Sequence, residues 1–169
     1  MPKVIDADAI KALSLQELNY SIITPHSREL EIILENSRMK KSTIQGIFDQ
    51  KNIKKKAAAL KKAIASHCSF FNNGNVLVLK GPIDIILSKK NIWLDTMGNA
   101  GMTKAGTGDV LAGLSAGFLA QTRDVEQSAI NATYLCGLIG DILLKKKKGF
   151  TYLASDMVEE IGKIREMLG

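Results

Sequence analysis

Three short, nearly continuous apolar runs punctuate the first half of the chain: Val4-Ile5, Ser21-Ile22-Ile23-Thr24 and Val76-Leu77-Val78-Leu79. None alternates polar with apolar, so each reads as a strand covered on both faces, as in a parallel sheet sandwiched by helices. After Gly81-Pro82 the rhythm changes. Ile83 to Leu87 and Ile92 to Leu94 flank the polar turn Ser88-Lys89-Lys90-Asn91, which predicts an antiparallel hairpin. Apolar residues at helical spacing predict helices over Ser27–Glu35 (Leu30, Ile33, Leu34) and Lys51–Ser66. The same spacing predicts helices over Asp109–Gln121, Glu126–Lys147 (Ile130, Tyr134, Leu138) and Asp156–Leu168 (Val158, Ile161, Ile164). The expected architecture is α/β, a mainly parallel sheet flanked by helices with an antiparallel hairpin, in one domain spanning residues 1–169.

At 169 residues the chain suffices for one sizeable core. Aromatic residues are 5% of it, so Ile, Leu, Val and Ala must do most of the filling. The net charge of +6 is concentrated at Lys51–Lys62 and Lys145–Lys148. The first run is interrupted by Ala57-Ala58-Ala59-Leu60 and Ile64, which suits the solvated face of a surface helix. The second precedes Gly149, as expected where cations meet a helix C-terminus. No aromatic residues interleave with these lysines, which argues against nucleic acid as a partner. Cys68 and Cys136 stand far apart in no metal-ligand spacing and are expected as free thiols of a cytoplasmic protein. The longest apolar stretch, Val110 to Ala120, falls short of the ~20 residues that span a bilayer, which argues against a membrane. Gly113 and Gly117 within it therefore read as a close-packing helix face.

The densest chemical signal runs from Met97 to Gly113: MGNAGMTKAGTGDVLAG. A glycine-rich loop leaves backbone N–H groups free to converge, and the following helix adds its positive pole, so the segment reads as a phosphate site. Ala105, Gly106, Thr107 and Gly108 are the candidate anion hole. Asp109 is the unexpected member, since a carboxylate repels a phosphate. It makes sense as a base that takes a proton from a hydroxyl about to attack phosphorus. It equally suits a helix cap. From the residues alone, both remain open.

This segment resembles the hallmark loop of the ADP/ATP-dependent NAD(P)H-hydrate dehydratases, members of the ribokinase-like superfamily. Further segments agree in order: Val4-Ile5-Asp6-Ala7-Asp8-Ala9-Ile10, Thr24-Pro25-His26-Ser27-Arg28-Glu29, Leu79-Lys80-Gly81 and Tyr152-Leu153-Ala154-Ser155-Asp156. The resemblance implies a ribokinase-like fold and a lyase that repairs hydrated NADH or NADPH. ADP or ATP, with Mg2+, would supply the phosphoryl group that activates the ring hydroxyl for elimination. It implies Asp109 as catalytic base and substrate contact, and His26 as a substrate contact. Lys80, Gly81, Pro82, Ile83, Asp84 and Gly108 would bind the adenine nucleotide. Asp6 and Asp8 would either assist magnesium or substrate placement or cap the next helix. Departures from the family pattern stand at Arg28, Ala100, Lys104 and Cys136; Lys104 would either aid phosphate binding or crowd the loop. The family's domain runs longer on its N-terminal side, so the chain corresponds to its C-terminal portion. It is accordingly expected to pair with the missing half or with a second copy. A ribokinase-like small-molecule kinase and a degenerate nucleotide-binding module are the alternative readings.

Overall fold

A computed structural model describes the backbone of residues 1–168 and the side chains of residues 1–164. Five strands form one sheet in the order of the chain: β1 (Lys3–Ile5), β2 (Ser21–Ile23), β3 (Val76–Leu79), β4 (Asp84–Leu87) and β5 (Ile92–Asp95). β1, β2 and β3 run parallel, whereas β3–β4 and β4–β5 are antiparallel. The parallel block and the hairpin both stand as expected; with two pairings of each kind, the sheet is evenly mixed.

Helices cover both faces. α1 (Asp8–Lys11), α2 (Ser27–Asn36), α3 (Lys41–Phe48) and α4 (Ile53–His67) lie before β3, and α5 (Thr107–Thr122), α6 (Val125–Lys146) and α7 (Ala154–Leu168) follow β5. The period-2 geometry of a strand divides the core between them. Ile23, Leu77, Leu79, Ile85 and Leu87 point towards the first group, while Ile22, Val76, Val78 and Ile86 point towards α5, α6 and α7. Every residue of β2 and β3 is buried, which explains why their sequences lack alternation. Full burial of one such side chain is worth about 1.5–3 kcal/mol.

On α4, Ala57, Leu60 and Ile64 turn inwards while Lys54, Lys55 and Lys62 stay in solvent, so the first lysine run is a solvated face. The hydrophobic pattern does not single out α3. Ile44 and Ile47 anchor it, but Gly46 interrupts its helical propensity. Among the described residues, no helix is long and apolar enough to cross a membrane.

Three features position the site. The C-terminal ends of β1, β2 and β3 lie side by side, the usual place for a ligand in an α/β sheet. α5 packs across β1, which among the described residues pairs with β2 alone and forms one sheet edge. The third is the open face of α5: at Gly113 and Gly117 an added Cβ would meet nothing within 4 Å. The expected close-packing face is thus uncovered in the described residues.

Candidate active site

The glycine-rich segment folds as a 3-10 turn over Ala100–Thr103, a short link, and then α5. Gly106 is the residue before the helix, with φ 88°, a left-handed conformation natural to glycine. Its carbonyl accepts from the Val110 amide at 3.2 Å, the first bond of the helix. Among the described residues the amides of Ala105, Gly106, Gly108 and Asp109 have no hydrogen-bond partner. Unpaired donors at the positive pole of a helix are the physical content of an anion site. Thr107 differs from the expectation. Its amide lies 3.4 Å from the Lys104 carbonyl, and its hydroxyl donates to Met102 O (2.6 Å) and Lys104 O (2.9 Å). Thr107 locks the loop while its neighbours keep free donors.

Asp109 is the third residue of α5 and is exposed. The helix has no side-chain cap, so the capping alternative lacks its hydrogen bond. A negatively charged side chain in a helix's first turn interacts favourably with the helix dipole.

Beside the loop lies a cavity of about 610 Å³ lined by His26, Lys80, Gly81, Pro82, Asp84 and Gly108, among others. Ile83 and Asp109 fall outside that lining; Asp109 faces a neighbouring groove. The Lys80 amide donates to Pro25 O at 2.9 Å, and a parallel bridge between His26 and Lys80 brings these two side by side just past β2 and β3. The Lys80 ammonium sits 2.9 Å from Asp6 Oδ1 and 3.9 Å from Glu29 Oε2. Asp6 Oδ1 also accepts the Thr24 hydroxyl at 2.7 Å. A Cβ on Gly108 would lie 3.4 Å from Lys80 Nζ and 3.9 Å from Asp6 Oδ2, so the cation and the loop face one another across the width of a missing side chain.

His26 serves two ends. Its Nδ1 accepts from the Arg28 and Glu29 amides, capping α2, while Glu29 Oε2 accepts the His26 amide at 2.9 Å. That reciprocal box fixes the ring, which remains half exposed at the cavity wall. Asp6 and Asp8 part company: Asp6 joins the Lys80 cluster, whereas Asp8 pairs with Lys11 on the surface at 2.7 Å. Neither caps α1.

Burial shapes the far wall. It pushes the Asp84 carboxyl up to about 6, although the Gly81 amide donates to it at 2.8 Å. Asp95 stands opposite on β5 and is also raised by burial; its Oδ2 is buried without a partner. Cys136, on the cavity floor, is pushed up to about 12 by burial and by these carboxylates, so the thiol stays protonated and inert as a nucleophile. Among the described residues, no group of three or more His, Cys, Asp or Glu side chains could hold a metal ion.

A family model for NAD(P)H-hydrate dehydratase matches residues 1–163. The chain belongs to this family. It is 38% identical over 164 residues to a bifunctional NAD(P)H-hydrate repair enzyme of Methanocaldococcus jannaschii, covering 94% of this chain and 26% of that protein. To an ADP-dependent (S)-NAD(P)H-hydrate dehydratase of Cenarchaeum symbiosum it is 30% identical over 138 residues, covering 82% of this chain and 42% of the relative. Among solved structures, a ribokinase-like superfamily protein of Enterococcus faecalis superposes with a TM-score of 0.72 at 29% identity, covering 97% of this chain and 52% of its own. The Bacillus subtilis ADP/ATP-dependent NAD(P)H-hydrate dehydratase, co-crystallised with ATP and Mg2+, gives a TM-score of 0.72 at 25% identity, covering 99% of this chain and 55% of its own. The ribokinase-like fold is therefore borne out. The chain spans between about a quarter and two fifths of these curated relatives, and about half of these solved ones.

Within this dehydratase-family chain, several residues support the loop in ways the sequence did not announce. Asp141 on α6 accepts from the Gly98 amide and from Asn99 Nδ2, each at 3.0 Å. Asn99 Oδ1 in turn accepts from Gly101 N and from the buried Tyr152 hydroxyl. The Asn99 side chain accepting the amide two residues on is a local side-chain turn, but its partners Asp141 and Tyr152 lie more than forty residues away in sequence. Lys104 donates to the carbonyls of Phe150 and Tyr152, so its ammonium ties the loop to the segment before α7.

Proposed function

We propose that this chain carries the nucleotide pocket and catalytic base of an ADP- or ATP-dependent NAD(P)H-hydrate dehydratase, a lyase of metabolite repair. Residues 1–169 form the C-terminal portion of the dehydratase domain, working in the cytoplasm. The terminal phosphoryl group of the nucleotide passes to the ring hydroxyl of hydrated NADH or NADPH. Asp109 accepts that hydroxyl's proton as the oxygen attacks phosphorus. The free amides of Ala105, Gly106 and Gly108 stabilise charge on the transferring group, with Lys80 beside them. Phosphate then departs with the hydroxyl oxygen, helped by the ring nitrogen's lone pair, and loss of a ring proton restores the double bond. His26 orients the nicotinamide nucleotide, and Gly81, Pro82 and Asp84 border the adenine nucleotide. Ile83, on the same turn, contributes through its backbone.

Mg2+ binds phosphates with few protein carboxylates and several waters. Asp6 Oδ2 faces the space between Lys80 and Gly108, a hard oxygen of the kind such an ion takes. Bound there, the ion would neutralise phosphate charge.

One observation carries the reading: in a chain of this family, an acid in the first turn of α5 caps nothing and stands beside unpaired amides. The test is product analysis of the completed domain with ADP or ATP and hydrated NADH. NADH and inorganic phosphate in equal amounts are expected. A stable phosphorylated product would support a small-molecule kinase instead, and nucleotide binding without turnover a degenerate module.

A further inference from the structure

Asp141 lies on α6, yet among the described residues both hydrogen bonds of its carboxylate go to the glycine-rich segment. Both partners are donors: the Gly98 amide reaches Oδ2 and Asn99 Nδ2 reaches Oδ1, each at 3.0 Å. Asn99 relays the hold. Its Oδ1 accepts the Gly101 amide at 3.0 Å and the Tyr152 hydroxyl at 2.6 Å, and its carbonyl accepts the Met102 amide at 3.0 Å. The Met102 carbonyl then takes the Thr107 hydroxyl at 2.6 Å, at the first residue of α5. A continuous run of hydrogen bonds thus leads from α6 to the helix end where the amides of Ala105, Gly106 and Gly108 stand free.

Packing leaves this brace little slack. A Cβ on Gly137 would come within 2.6 Å of Met97 Cβ, so α6 meets the segment almost at backbone contact. On the other side, a Cβ on Gly101 would lie 2.7 Å from the hydroxyl of the fully buried Tyr152. A shift of Asp141 or Asn99 is therefore passed to the loop backbone. The bonding also calls for an acid at position 141. A carboxylate accepts on both oxygens, whereas a carboxamide must turn its NH2 group towards one of two donors.

We infer that Asp141 is a positioning residue for phosphoryl transfer: through Asn99 it sets where the free amides of Ala105, Gly106 and Gly108 point. The inference rests on the reading of those amides as the phosphoryl site. Asp141 itself lines neither the cavity of Lys80 and Gly108 nor the groove that Asp109 faces. Its effect falls on the rate of transfer rather than on nucleotide binding, which Lys80 and the turn from Gly81 to Asp84 supply from other elements.

The test exchanges the acid and the amide across the pair. Asp141→Asn alone sets an NH2 group against a donor, and Asn99→Asp alone sets two carboxylates face to face. The double variant restores every bond. Its carboxylate at position 99 accepts from Gly101, Tyr152 and the carboxamide at 141, whose oxygen accepts from Gly98. In the full chain without ligand, the backbone amide resonances of Gly106 and Gly108 should move in each single variant and return in the double one. In the completed domain, each single variant should lower kcat on the order of a hundredfold, as misplacing a reacting group by about 1 Å does, with KM for ADP little changed. The exchanged pair should recover most of that loss. Gly106 and Gly108 amides unmoved by Asp141→Asn, a folded double variant without recovery, or a KM that rises while kcat holds would each overturn the inference. If the single variants fail to fold, the double variant decides: wild-type amide resonances and kcat support the inference, and a restored fold without kcat overturns it. A wild-type domain that leaves hydrated NADH unrepaired counts against the dehydration chemistry, and the amide resonances then judge the brace by themselves.

Discussion

Replacing Gly108 by alanine should separate folding from nucleotide binding. Gly108 is the second residue of α5, and the added methyl would lie 3.4 Å from Lys80 Nζ and 3.9 Å from Asp6 Oδ2, ordinary contact distances. The folded chain can hold it without moving backbone. Alanine also loses less chain entropy than glycine, a gain of about 0.4–1 kcal/mol. For a chain of 169 residues, that raises the melting temperature by roughly 1–4 °C. The same methyl occupies the space between the Lys80 ammonium and the loop amides, where the phosphate must sit. Nucleotide affinity should fall on the order of a hundredfold, about 2.7 kcal/mol. Melting curves with ADP and Mg2+ read both effects. Ligand at about a hundred times the wild-type dissociation constant adds about 2.7 kcal/mol to the native chain, and about 0.4 kcal/mol to a variant binding a hundredfold less tightly. A variant that is as stable as expected yet keeps the full nucleotide-induced shift would refute the placement of phosphate between Lys80 and Gly108.

Lys80→Ala should shrink the nucleotide-induced melting shift and, by leaving Asp6 without its cation, lower the stability of the free chain by about 1–2 kcal/mol. Lys55→Ala, on the solvated face of α4, should change neither, and equal effects from the two lysines would count against the site. Asp84 gives a pH signature. Its folded value of about 6 lies above the ordinary 3.8, so the cost of burying its charge is present above about pH 6 and disappears towards pH 4. Asp84→Asn should therefore stabilise the chain most at neutral pH, with the difference from wild type vanishing near pH 4; a pH-independent difference would contradict the assignment.

Much of this was legible because local physics governed it. The runs at β2 and β3 lack alternation, and both strands are covered on each face. The glycine-rich segment reads as a phosphate loop because glycine at Gly106 accommodates a left-handed turn into α5. Distant contacts were illegible. Nothing near Asp141 or Tyr152 announces that they hold Asn99, and nothing in the sequence tells that the Thr107 amide turns back to Lys104. His26 shows a mixed case: its motif suggests a substrate contact, and its Nδ1 also caps α2. Gly113 and Gly117 were read as a close-packing helix face, yet among the described residues an added Cβ at either would meet nothing within 4 Å, because small residues mark where close packing is allowed, not where it occurs.

The role of Asp109 is the centre of the account, and Asp109→Asn in the completed domain tests it most directly. The carboxamide keeps the shape and loses the proton acceptor, and removing a general base costs on the order of 10²- to 10⁴-fold in rate. Phosphate release and recovery of NADH from its hydrate should fall by that factor. Nucleotide affinity should hold or rise slightly, since a negative charge beside the phosphate is gone. Unchanged turnover in the Asn variant would contradict the account, because it would leave Asp109 with neither a capping bond nor a chemical task.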